Sequence, residues 1–124
     1  MMGVVDDYGR ALLPITVRDP LTQSFVELQA WIDTGFAGTL MLPADTIAAL
    51  ALPKSGSVSG SLADGSLISF DTFDCVVDWM GVQRPVTALG SAGRFPLIGV
   101  GLLEDCTVTI DYPARTVTVA HNSV

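Results

Sequence analysis

Apolar and polar residues alternate along most of this chain in short runs rich in Val, Ile, Leu and Thr, each broken by Gly, Pro, Asp or Asn. A period of two with turn residues at such intervals predicts strands arranged as a small sandwich or barrel. Ala11 to Val17 and Phe25 to Ile32 form the first pair, and Pro20 in the break between them presets a turn. Thr39 to Leu42 is a third, short strand ending at Pro43. Ala44 to Leu50 is the clearest helix, with Asp45 in its first turn and Pro53 after its end. Val58 to Phe73 alternates small and apolar residues about Ala63-Asp64-Gly65, and Asp-Gly between strand-like flanks is a strong hairpin signal. Asp74 to Trp79 and Val82 to Leu89 read as another hairpin through Met80-Gly81, followed by a loop from Gly90 to Gly93. Val100 to Glu104 reads as a short helix, and Thr107 to Ile110 with Thr116 to Val119 as a last hairpin. The expected class is all-β with one or two short helices, with residues 1–9 a flexible N-terminus and residues 120–124 a frayed tail.

Composition narrows the function. The length, 124 residues, suits a single domain over 1–124 that buries about two-thirds of its unfolded surface. A hydrophobic content of 49% excludes disorder. Six Lys plus Arg against 13 Asp plus Glu leave a net charge of -7, too acidic for the basic stripe that nucleic acid or an anionic bilayer requires. No apolar run approaches the roughly 20 residues of a membrane span, and no cationic start precedes a long apolar segment, so a cytoplasmic chain without membrane insertion is expected. Cys75 and Cys106 with the single His121 cannot assemble a zinc site, and no metal or cofactor is expected. Whether the two cysteines pair stays open. They read as small buried apolar residues, Trp31 and Trp79 as core or interface, and Asp71, Asp74 and Asp78 as a solvated strand rather than a metal site.

The position of His121 near the chain end also removes Ser-His-Asp and Cys-His arrangements, and Gly99-Val100-Gly101 lacks the lysine of a phosphate loop. What remains is Asp33, in Ala30-Trp31-Ile32-Asp33-Thr34-Gly35-Phe36, where one ionisable group follows an apolar strand end. A carboxylate placed there is partly buried and either finds hydrogen-bond donors or holds its proton, which marks a candidate site. The competing reading is an Asx-turn in which Asp33 accepts from the amides ahead and Gly35 supplies a positive φ.

A second segment, Leu97-Ile98-Gly99 after Phe95-Pro96, changes the weighing. An Asp-Thr-Gly at a strand end and a later apolar-apolar-Gly, with a hairpin between them and a short helix after, resemble the paired signatures of retropepsin-like aspartic proteases. The variant Asp33-Thr34-Gly35-Phe36 resembles their prokaryotic single-lobe branch, and the resemblance spans roughly residues 10 to 119. It implies a closed-barrel acid-protease lobe and an aspartic endopeptidase. Asp33 would be catalytic with Thr34 and Gly35 beside it; Phe36, Leu97, Ile98 and Gly99 would line the substrate cleft, and Ala63, Asp64 and Gly65 would form the flap.

One Asp-Thr-Gly supplies half of a dyad, so the resemblance further implies a homodimer in which two Asp33 share a proton and activate water against a peptide bond. Thr34 would brace the partner's loop, or fill an ordinary β position. Val17 and Ile32 are further expected cleft walls, and the two C-terminal strands, β-branched and uncharged, are expected at the interface. Two departures stand out. Phe36 replaces a small or hydroxyl residue and reads either as a pocket wall or as a core aromatic, and Gly101 replaces an Asp or Asn that anchors the helix start. Both feed an alternative, a dimerising peptide-binding domain without catalysis. A third reading is a plain β domain whose Asp-Thr-Gly is only a turn.

Overall fold

The computed structural model describes residues 1–122. Ten strands and two short helices follow in the order β1 (Met2–Val5), β2 (Ala11–Arg18), β3 (Phe25–Ile32), β4 (Leu40–Pro43), α1 (Ala44–Leu50), β5 (Lys54–Ser61), β6 (Leu67–Trp79), β7 (Val82–Ser91), β8 (Leu97–Ile98), α2 (Val100–Leu103), β9 (Cys106–Asp111) and β10 (Thr116–His121). The pairings β2–β3, β3–β8, β8–β4, β4–β7, β7–β6 and β6–β2 return to their start, so six strands close a barrel. Closure buries a core of aliphatic side chains, among them Leu13, Val17, Leu40, Leu42, Val77, Ile98 and Leu102. Outside the ring, β1 continues from β2 to β10, and β10 carries β9 as the terminal strand of the sheet.

Local chemistry explains the turns. Between β2 and β3 the Asp19 carboxylate, only 4% exposed, accepts from the Leu21 amide at 3.1 Å and the Thr22 hydroxyl at 2.9 Å, so a buried charge is satisfied by the turn it shapes. Helix α1 ends where Ala51 enters the left-handed region at φ 49° and its amide returns to the Ala48 carbonyl. The β5–β6 tip closes with the Leu62 amide on the Ser66 carbonyl and Gly65 at φ +85°.

Three features depart from expectation. Asp74 to Trp79 is not a separate strand but the inner half of β6, whose outer half pairs with β5 and whose inner half pairs with β7 and β2. Its polar residues at 71, 74 and 78 disguise the continuity, and two of them find cation partners. Asp71 meets Lys54 at 3.2 Å and Asp78 takes a two-pronged pair from Arg18. At the N-terminus, residues 2–5 form β1 because Met2 to Val4 extend along the edge of β10 and Val5 is buried. At the other end, Ala120 and His121 belong to β10, while residues 123–124 of the expected tail lie outside the described residues. Cys75 and Cys106 are unpaired, the former buried and the latter half-buried.

Arg18 and Asp78 sit across the β2–β6 seam that completes the ring, with Nε–Oδ1 at 3.0 Å and Nη2–Oδ2 at 2.8 Å. The Arg18 hydrogen bond holds the Asp78 carboxyl below the usual carboxylate range. A group depressed in the folded state stabilises fully above its unfolded pKa and loses that contribution as pH falls through its folded value. Asp78→Asn should therefore lower the melting temperature by a few degrees at neutral pH. The difference from wild type should disappear in thermal melts below the carboxylate range.

Candidate active site

Asp33 follows the last residue of β3, and its backbone amide donates to the Ile98 carbonyl at 2.9 Å. One step earlier the Trp31 amide donates to Pro96 at 2.8 Å, so the two sequence signatures run side by side as the parallel β3–β8 pair. The loop beyond Asp33 is tied to the start of α2 in the same way. Gly99 donates to Thr39, Val100 to Phe36 and Gly101 to Gly38, each at 3.0 Å. The Asp33 turn is thus fixed from both sides by backbone hydrogen bonds rather than by side chains.

Within the turn, the Gly35 amide donates to Asp33 Oδ1 at 2.9 Å and the Phe36 amide to the Asp33 carbonyl at 3.1 Å. The Asx-turn is therefore real, but Gly35 is not among the residues with positive φ; its amide is what the turn uses. Asp33 is half-buried and Thr34 and Gly35 are exposed, which leaves the outer face of the turn open.

Close packing around the turn accounts for both departures from the signature pattern. A Cβ built on Gly38 would come within 2.5 Å of the Phe36 ring, and one on Gly99 would meet that ring at 2.6 Å and collide with the Gly38 carbonyl. The ring thus lies in a seat that only glycine leaves open on two sides. Gly101 is held equally close, since a Cβ there would run into Thr39. An Asp or Asn at 101 has no room, and direct backbone contact with Gly38 replaces a side-chain anchor. Phe36 also faces the cleft, so it is wall and packing residue at once.

That cleft, about 510 Å³, lies between the Asp33 turn and the β5–β6 hairpin. Its floor is Asp33, Gly35, Phe36, Ala37, Gly38, Met41, Leu89 and Leu97; its roof is Val58 to Leu62 with Ile68 and Phe70. Asp33 is the one ionisable side chain among them. The roof follows from register: Val58 opposes Phe70 and Gly60 opposes Ile68, placing one apolar face of the hairpin inward. Met41, Val58, Ser59, Gly60, Ile68, Phe70 and Leu89 escape the sequence reading, although the alternation through β5 and β6 carries the signal for the roof.

The other expected residues fall elsewhere. Ala63, Asp64 and Gly65 form the exposed hairpin tip, beyond the lining of this cleft. There Asp64 accepts from the Ser66 hydroxyl and amide, which hold its carboxyl below the usual range. Ile98, Val17 and Ile32 are buried in the barrel core, so they support the wall without lining it. Gly99 is buried under Phe36. Burial pushes the Cys75 thiol up to about 12, which removes it as a nucleophile. His121 lies opposite Cys106 across β9–β10, outside this cleft.

Neither a scan of protein-family profiles nor a search of curated proteins returns a match. Similarity appears at the level of the fold. A retropepsin-like aspartic protease from Rickettsia conorii superposes with a TM-score of 0.66 at 16% identity, covering 96% of this chain and 88% of its own. EIAV protease complexed with an inhibitor gives 0.62 at 16% identity over 77% and 86%. The protease of simian foamy virus gives 0.50 at 15% identity over 74% and 92%. The fold is therefore the single lobe of retropepsin-like aspartic proteases, closed barrel included.

The Phe36 seat is open to a direct test. Gly38→Ala should cost about 1–3 kcal/mol by overpacking against the ring. The same change in a Phe36→Ala background should cost far less, giving a large coupling in a urea-denaturation double-mutant cycle.

Proposed function

We propose that this chain is an aspartic endopeptidase whose catalytic dyad is completed by a second copy. The observation that carries the reading is the placement of Asp33 as the sole ionisable group of an apolar, hairpin-roofed cleft, at a turn fixed to Leu97-Ile98-Gly99 by backbone hydrogen bonds. A lone carboxylate has no partner with which to divide acid and base work. Two Asp33 brought together on a two-fold axis do: they cannot both ionise at close range, so one keeps a proton while the other takes one from water. The water attacks the scissile carbonyl as the protonated carboxyl gives its proton to the carbonyl oxygen, and no covalent enzyme intermediate forms. The apparent pKa values would belong to the pair.

The remaining residues take supporting roles. Thr34, exposed beside Asp33, would brace the partner's turn, and Gly35 would let substrate backbone approach the carboxylate. A peptide entering as an extended strand would pair with the hairpin edge and put alternate side chains against Phe36, Leu97, Ile68 and Phe70. The tip at Ala63, Asp64 and Gly65 would reach over it as a flap. β9, with β10 behind it, is an open edge of the sheet, and it would be the surface offered to the second copy.

Asp33→Asn tests the reading. Cleavage of denatured protein at mildly acidic pH should fall by at least about a hundredfold, as expected for loss of an acid–base group, and pepstatin should inhibit wild type. Unchanged cleavage in the variant would remove Asp33 from the chemistry. Peptide binding without cleavage by wild type, indifferent to pepstatin, would mark a binding domain instead.

A further inference from the structure

A second cluster adjoins the cleft. In the segment before β2 the Asp6 carboxylate folds the chain over itself, accepting from the Tyr8 and Arg10 amides at 2.9 Å each and from Arg10 Nε at 2.6 Å. That grip carries the Arg10 guanidinium into a nest of rings. Its central carbon lies 4.1 Å from the centre of Phe95, 4.9 Å from Tyr8 and 5.8 Å from Trp31, while Trp31 and Phe95 meet edge to face at 6.1 Å.

Strand register puts this nest at the end of the cleft floor. Trp31 pairs with Leu97, which lines the cleft, and stands two residues before Asp33 on the same side of the strand. It also pairs with Leu12, the last β2 residue in register with β3, and Arg10 stands two residues before Leu12. The Arg10 nest, of which Trp31 is one ring, therefore adjoins the cleft through the Trp31–Leu97 pair, two residues before Asp33.

The cation is only partly spent. Asp6 occupies Nε, and among the described residues no oxygen accepts from either Nη of Arg10. The other paired cations differ: Arg18 engages Asp78 through Nε and Nη2, Arg84 Nη2 donates to the Gly101 carbonyl, and Arg115 Nη2 serves Asp7 and the Asp6 carbonyl. A guanidinium orientated by three rings and one carboxylate, with its fork open, is pre-organised to accept a second carboxylate in two-pronged geometry.

We propose that Arg10 binds an Asp or Glu side chain of the peptide at one position flanking the scissile bond, with Trp31 and Phe95 as its walls. The inference rests on the cleft being a peptide site. With a net charge of -7 the long-range field repels acidic peptides. A preference for acid at a single position must therefore come from a local feature, and Arg10 supplies a cation there.

The test uses the full-length Asp33→Asn chain, which leaves peptides uncut, and labelled peptides that differ only in Glu or Gln at each position in turn. Fluorescence anisotropy at pH 6.5 should show Glu bound about tenfold tighter than Gln at one position, the scale of a charge-assisted hydrogen bond. Adding Arg10→Met should bring that ratio close to one. Asp6→Asn, which releases Nε from competition, should raise it and gives a second reading should Arg10→Met unfold. Equal binding at every position, or a preference that survives Arg10→Met, overturns the proposal. So does an Arg10→Met effect on subunit dissociation alone, since Arg10 would then serve the partner chain. Preferential binding by Asp33→Asn with no cleavage by wild type would keep the Arg10 site and defeat the catalytic reading; cleavage indifferent to Glu would do the reverse.

Discussion

The pairing of Trp31-Ile32 with Leu97-Ile98 is the contact on which this molecule turns. Strand β8 is only two residues long, yet it fills the gap between β3 and β4 and so decides whether the sheet closes. Its inward residue, Ile98, is fully buried, and Ile32 beside it nearly so. Burying these side chains in a tight interior is what pins so short a strand. Because Asp33 and Gly99 are the next residues on each side, the event that completes the core also sets the Asp33 turn. Stability and site geometry therefore share one origin.

From that pairing the unusual side chains become intelligible. Once β3 and β8 lie together, the loop after Asp33 and the start of α2 are pressed into backbone contact, and Gly38, Gly99 and Gly101 supply the missing volume. Phe36 fills the space over two of them. A polar residue at 36 or 101 would add a side-chain hydrogen bond to this turn; this chain holds it by backbone hydrogen bonds and close packing. The departures that stand out in the sequence, Phe36 and Gly101, both belong in space to this close packing, Phe36 over Gly38 and Gly99 and Gly101 against Thr39.

Much of this was legible in the residues, because it is local. Period-two alternation located β2, β3, β7, β9 and β10, the Asp-Gly tip located the hairpin, and Pro43 and Pro53 bracketed α1. The two signatures assigned Asp33 and Leu97 to one cleft, and both line it. What stayed hidden is long-range. The dual service of β6 brings Asp78 to Arg18, sixty residues away, and β1 depends on an edge of β10 more than a hundred residues away. Apolar character marked Val17, Ile32 and Ile98 for the cleft, but strand parity turns them to the core and turns Val58, Ile68 and Phe70 toward Asp33. The Arg10 nest draws on residues 6, 8, 10, 31 and 95, a constellation with no sequence spacing to recognise.

One lobe offers one Asp33, and the proposed chemistry needs two. Mixing wild-type and Asp33→Asn subunits at a fixed total concentration probes this most directly, because hybrid dimers carry a single catalytic carboxylate. If the dyad is shared between copies, peptidase activity falls with the square of the wild-type fraction once subunits have exchanged. Activity that falls in simple proportion to that fraction would mean that each chain works alone, and would contradict the shared dyad.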